Sequence, residues 1–330
     1  MPSLPPHLPD AFTVTAGGGA GLSRARVRSL PLSAPSRGTR VRADSDNPLH
    51  ARIVATLAVV RPGSVVCGAT AARLWRLPLP PWIALDEDAL IQVAAGPDGA
   101  HAERTGVRGR RLVLPAEHVT SVDGLPVTTP ARTWLDCAAD IPLVHVVAMG
   151  DAALHRRLVR ERELDAMLHW GFRRRGVGVA RRARPLLDER AESPGESWIR
   201  TELVLAGLPR PICNPDIHDR GEWLARADLA WPDQMVIVEY DGRVHISEEA
   251  RRFDARRRNL LQDAGWLVVV VTSSGDTWLT NVRYVQPRLA GQRGGATREL
   301  RDARTTGGVS GGRERSPRRP GRRADRRRTR

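Results

Sequence analysis

The sequence predicts an α/β protein, and three observations predict it. The first is the apolar run Met235-Val236-Ile237-Val238, which ends at once in Glu239-Tyr240-Asp241-Gly242 and reads as a central strand covered on both faces. The second is the alternation around it. A helix opened by Ser193 runs to Ala206 and stops at Gly207, and strands follow near 212–218, 222–231 and 235–241. A helix capped by Ser247 covers about 248–264, and a buried strand occupies 266–272, so the order is α, β, β, β, α, β. The third lies upstream, where 91–95, 106–114 and 119–122 read as short strands with the hairpin signal Asp123-Gly124.

These elements divide the chain. Residues 1–46 are rich in Pro, Gly and Ser without periodicity and are expected to be disordered. Residues 47–140 form an α+β unit. It begins with a helical pattern (Ile53, Leu57, Val60), breaks at Arg61-Pro62-Gly63-Ser64 and resumes over Gly68–Leu77. Two short helices across a tight turn suit a helix-turn-helix. Thr129 caps a further helix with Pro130 at its first position. Residues 141–192 hold helices near 142–158, 161–170 and 177–190 and read as a helical linker region. Residues 193–287 carry the main α/β domain, and 288–330 an Arg-rich disordered tail.

Charge locates the polyanion signal. The formal net charge is +15, yet 288–330 alone hold 15 Arg against 4 acids, and 1–46 hold 6 Arg against 3, so the remainder is nearly neutral. The tail would bind any polyanion with strong salt dependence. There is no lysine anywhere, so a catalytic lysine is excluded. Cys67, Cys137 and Cys213 lie far apart without histidines at ligand spacing, so neither a disulfide framework nor a zinc site follows, and buried or half-buried thiols are expected. No apolar stretch approaches the roughly 18 residues a membrane span needs, and no signal-peptide pattern opens the chain, so a cytoplasmic location is expected.

The chemistry concentrates in the C-terminal domain. Asp228 sits near the end of the 222–231 segment. Alternation along the next strand places Glu239 and Asp241 on one side. If the two segments pair antiparallel through Pro232-Asp233-Gln234, three carboxylates meet at one sheet edge. Two like charges ~4 Å apart repel by about 4 kcal/mol at an effective dielectric near 20. The cluster must therefore take up a proton, pair with arginine (Arg226, Arg243, Arg257 or Arg258), or bind a cation such as magnesium, which accepts phosphate oxygens as further ligands. Glu196 has two readings. It completes a capping box with Ser193, or it leans toward the metal if its helix packs beside the sheet edge. His245, four residues past Asp241, is either a surface histidine or a proton carrier for an attacking water.

The run Glu196, Asp228, Glu239-Tyr240-Asp241-Gly242, His245, Asp254, Arg257 and Gly265-Trp266 resembles a family of unknown function. That family is related to the very-short-patch-repair (Vsr-like) endonucleases of the restriction-endonuclease-like superfamily. The resemblance implies a restriction-endonuclease-like α/β/α core and metal-dependent hydrolysis of a DNA phosphodiester. Asp228 and Glu239 would be the ligands of Mg²⁺ or Mn²⁺, with Glu196 as a helix-borne ligand or orienter. The superfamily usually carries a lysine where this chain has Asp241. His245 is the substitute the resemblance suggests, and residues 276–289 depart from the pattern.

Upstream, Gly68-Ala69-Thr70-Ala71-Ala72-Arg73-Leu74-Trp75 and Gly124-Leu125-Pro126-Val127-Thr128-Thr129-Pro130 resemble the winged-helix region of AbiEi-like antitoxins over about 47–160. This implies DNA binding through Thr70 and Arg73, with Arg257 as a further DNA contact in the nuclease-like module. The first expectation is thus a Mg²⁺-dependent DNA endonuclease with a DNA-binding module, acting on double-stranded DNA. The alternative is a catalytically degenerate nuclease fold acting as an antitoxin-like DNA-binding transcriptional regulator, with a toxin–antitoxin or regulatory protein partner.

Overall fold

The computed structural model describes residues 8–86, 88–95, 103–242, 248–272, 285–287 and 289. The first unit contains β1 (Ala11–Thr13), α1 (Val14–Gly19), α2 (Arg24–Ser29), β2 (Leu32–Ser33) and β3 (Thr39–Arg42). Its three strands pair antiparallel in the order β1-β3-β2. Thr13 and Ser23 cap the two helices, each side-chain oxygen accepting an N–H three residues on. Leu8, Phe12, Leu22, Val27 and Leu30 form a small core. The expected disorder of 1–46 is therefore corrected for residues 8–46. The glycine run that read as flexible lies in a helix, and Gly17 faces Phe12 so closely that a Cβ would crowd the ring.

The second unit runs through α3 (Pro48–Leu57), β4 (Val65–Val66), α4 (Gly68–Leu74), α5 (Pro81–Ala84), β5 (Ile91–Ala95), β6 (Glu103–Arg104), β7 (Val107–Arg111), β8 (Val119–Val122) and β9 (Leu125–Thr128). It ends in α6 (Pro130–Cys137), α7 (Leu143–His155), α8 (Glu161–Trp170) and α9 (Val177–Ala183). Its six strands lie in the order β6-β7-β5-β4-β9-β8, with β4–β9 and β5–β7 parallel. The predicted helix-turn-helix over 53–77 is corrected here. Strand β4 separates α3 from α4, and both pack on the sheet through Ile53, Val66, Ala71 and Val127. The helical linker is corrected as well. Leu77, Trp134, Val147, Met149, Leu164, Ala180 and Leu187 share one core, so α7–α9 belong to the same body as α4 and α6.

The first unit is docked on the second. Ala11 and Val41 pack on Ala51 and Ala55 of α3. Gly106, at φ +78°, lies so close to the Pro35 carbonyl oxygen that any Cβ would overlap it. Arg104 donates to Ser36 Oγ (3.4 Å) and to the Arg37 carbonyl (2.6 Å) beside it.

The third unit contains α10 (Pro194–Leu205), β10 (Ile212–Cys213), β11 (Asp216–Asp219), β12 (Glu222–Arg226), β13 (Leu229–Trp231), β14 (Val236–Asp241), α11 (Glu248–Asp263) and β15 (Leu267–Thr272). A sheet in the order β10-β13-β14-β15 has β14 and β15 parallel and its other pairs antiparallel. Two expected strands are each split. The segment 212–218 becomes β10 and β11, and 222–231 becomes β12 and β13, with a kink at Ala227–Asp228. The halves β11 and β12 pair with each other as a separate hairpin.

Arg200 of α10 joins this unit to the second. Its side chain and that of Asp151 on α7 are both 1% exposed, and Nη2 donates to Asp151 Oδ2 at 2.5 Å. Nη1 donates to the Leu186 carbonyl, and Asp151 Oδ1 accepts the Asp188 N–H at 2.8 Å. Removing one partner of a buried pair strands the other charge at a cost of about 3–5 kcal/mol. Arg200→Met should therefore lose stability of that order in urea denaturation followed by circular dichroism. A loss below about 1 kcal/mol would contradict this role.

Candidate functional site

The site is built by the register of β13 and β14. Leu229 pairs with Val238, Ala230 with Ile237 and Trp231 with Val236, which sets Asp228 in the row beside Glu239. Val236 and Val238 pack with Leu203 beneath α10, while Ile237 packs with Leu261 and Trp266 on the α11 side. Alternation then turns Glu239 and Asp241 toward α11, as the sequence predicted. Asp228, Glu239 and Asp241 line one groove of about 760 Å³ with Asp254, Arg257 and Arg258.

The two central carboxylates are held differently. Asp228 Oδ2 accepts the Tyr240 N–H at 2.7 Å. Glu239 is 8% exposed, and Arg257 Nη2 lies 2.8 Å from its Oε1. That contact is a charge pair without hydrogen-bond alignment, since Glu239 Oε1 is buried with no aligned donor among the described residues. Burial raises the Asp228 carboxyl above its ordinary value, and the nearby charges of Glu196 and Glu192 push the same way. Burial also raises Glu239, helped by Asp228 and Asp254 and opposed by Arg257 and Arg258. This is the mutual repulsion expected from the sequence, relieved in part by arginine.

Glu196 does not line the groove. Its N–H donates to Ser193 Oγ at 3.2 Å, which is the first half of the predicted capping box. The return bond is corrected: Glu196 Oε2 accepts from the Glu192 N–H (2.9 Å) and from Asn214 Nδ2 (2.7 Å), not from Ser193. Asn214, at φ +49°, donates its own N–H to the Asp228 carbonyl at 2.9 Å. Glu196 therefore reaches the acidic row through Asn214, a residue sequence reasoning missed. An asparagine before Pro215 was the available signal, because Asn tolerates the left-handed region. Gly195 was passed over too. The Tyr240 ring lies against it at the start of α10, where no Cβ would fit.

His245 lies outside the described residues. Arg257, expected on DNA, also donates Nη1 to the Arg226 carbonyl at 3.1 Å and so serves the acids and β12. The DNA contact expected of Thr70 is corrected. Thr70 is buried, and its hydroxyl accepts the Gln92 N–H at 2.9 Å. Arg73 donates to the carbonyls of Ile83 and Asp86, which ties it to its own loop at the wall of a second cleft. Among the described residues no group of three or more His, Cys, Asp or Glu is placed to hold a metal ion.

The molecule is thus a mixed α/β protein of several sheets, with an acidic groove in its third unit. Residues 64–189 match the AbiEi antitoxin C-terminal domain. That span joins the expected 47–140 and 141–192 regions, and it corrects the expectation that this stretch resembles the winged-helix part of such antitoxins. Uncharacterized proteins from two strains of Mycobacterium tuberculosis are each 32% identical over 187 residues, 56% of this chain. The chain spans 66% of the length of those relatives. No solved structure matches it significantly. No helix among the described residues is long and apolar enough to cross a membrane.

Raised carboxyl values carry a definite pH sign. A group bound more tightly as its acid in the folded state contributes stability below its unfolded value and loses it as pH rises through the folded one. Asp228→Asn combined with Glu239→Gln should therefore gain on wild type as pH rises from about 4 to 7. Urea midpoints at several pH values measure this, and a constant difference would contradict the burial.

Proposed function

We propose that this chain is an antitoxin-like, DNA-binding regulatory protein whose duplex-reading element is the first unit, with α2 as the recognition helix. One observation carries the reading. The turn between α1 and α2 aims a Ser23-capped helix outward, burying Val27 and exposing Arg24, Arg26 and Arg28. Arg24 and Arg28 are four residues apart and share a helix face, and the β2–β3 hairpin follows as a wing would. The match of 64–189 to an antitoxin domain supports the same class. A toxin-like or regulatory protein partner belongs to this reading.

The Arg-rich tail would bind DNA of any sequence, so the test separates specific from general affinity. Selection from a randomised duplex pool should enrich one site. Base contacts are worth about 1–3 kcal/mol each. Arg24→Ala with Arg28→Ala should therefore weaken that site at least tenfold, leaving affinity for unrelated duplex nearly unchanged. Failure to enrich a site, or equal binding by the variant, would remove the recognition role.

A second reading is favoured by the apposed Asp228 and Glu239. In it the third unit is a restriction-endonuclease-like, Vsr-like module that hydrolyses DNA. Its mixed sheet between α10 and α11 and the buried, unaligned Glu239 Oε1 fit a cation beside Asp228 and Glu239. Mg²⁺ or Mn²⁺ there would supply an activated water and stabilise charge on a phosphate. The chain's own contribution is to hold the two carboxylates in one row, with Glu196 bracing the Asp228 backbone through Asn214. Asp241 stands where a lysine is usual, so proton transfer falls to another group. The Arg257 charge on Glu239 competes with a cation and suits a degenerate site instead. Calorimetric titration of the full chain with Mn²⁺ decides: wild type should bind, and Glu239→Ala should bind at least tenfold more weakly. Equal titrations would end the enzymatic reading.

A further inference from the structure

We infer that the acidic groove takes an unstacked nucleobase of a DNA strand, with Trp223 as the stacking surface. This deepens the second reading, whose groove it shares, but requires neither a metal nor cleavage. Trp223 lies on β12 at the rim of the groove and is 60% exposed, although the core of Ile217, Ala225 and Leu261 lies alongside. Its indole N–H is already satisfied by Asp216 Oδ1 at 3.0 Å. That bond orients the ring and leaves its apolar faces as the unmet part of the side chain. Its cross-strand partner His218 is also exposed, next to a register shift between Ile217 and His218 in the hairpin.

The rest of the groove has matching chemistry. Leu260 of α11, 51% exposed, adds a second apolar side chain to the lining. Arg256 and Arg258 of the same helix also line the groove, and a guanidinium is the side chain best suited to a phosphate. At about 760 Å³ the groove falls within the roughly 300–1,000 Å³ of small-ligand clefts, so it suits one splayed-out nucleotide rather than a duplex. Base–aromatic stacking tolerates any sequence, which suits a site whose rim offers arginines and one flat ring.

The test is photocrosslinking of the full chain to a short oligothymidylate carrying one 5-iodouracil, in EDTA. Trypsin then releases residues 221–226, between Arg220 and Arg226, from every tail peptide. An adduct on 221–226 is expected, kept by Trp223→Phe and reduced about tenfold by Trp223→Ala. Should the alanine variant fail to fold, Arg256→Ala, which leaves the hairpin alone, should still lower the yield at that peptide. Adducts confined to 288–330, or unaffected by either change, overturn the assignment. A ribo-oligomer crosslinking more strongly at 221–226 overturns the choice of DNA. Metal titration plays no part in this readout, so losing the hydrolytic reading and losing the base site are separate results.

Discussion

The third unit depends on where α10 is held. Arg200 fastens the middle of that helix to Asp151, and the helix in turn carries Gly195 and Glu196 to the mouth of the acidic row. Desolvation dominates at this joint, since burial raises the Asp151 carboxyl even with a guanidinium in contact. A pair of this kind is a poor source of net stability and a strong constraint on position, because neither charge can leave without the other. Its location at the seam between the second unit and the β10–β15 sheet suits positioning.

Arginine supplies every fixed positive charge in this chain, and that shapes both ends of it. A guanidinium reaches two acceptors at once and does not titrate. Arg257 spans Glu239 and the Arg226 carbonyl, and Arg132 spans Asp136 and the Val113 carbonyl while buried. Arginines of this sort are committed to the fold, and Arg73, tied to the Ile83 and Asp86 carbonyls, is held in the same way. Other arginines stand exposed on α2 and along α11.

Much of the third unit was legible in the sequence. The run Met235–Val238 and its acidic end gave the central strand and the side on which Glu239 and Asp241 stand. Ser193 and Gly207 marked the bounds of α10, and Gly265 the end of α11. The splitting of 222–231 was not legible, because Ala227–Asp228 has no breaker residue and the kink follows from β12 leaving the sheet to pair with β11. Upstream, composition misled. Proline, glycine and serine in 1–46 suggested disorder, yet five well-spaced apolar side chains close a core there. The pattern over 53–77 suggested a helix-turn-helix, yet both helices are sheet-covering elements.

By itself the sequence determined the local alternatives: which segments could be helix or strand, which acids would share a side of a strand, and that no lysine could serve. These follow from periodicity, caps and composition, which act over a few residues. Tertiary structure alone decided which acids meet. Asp228 joined Glu239 through strand register, Glu196 was diverted to Asn214, and Thr70 was sealed beneath Gln92. Such pairings depend on contacts between residues far apart in the chain, and their geometry is fixed only when the cores beneath them pack.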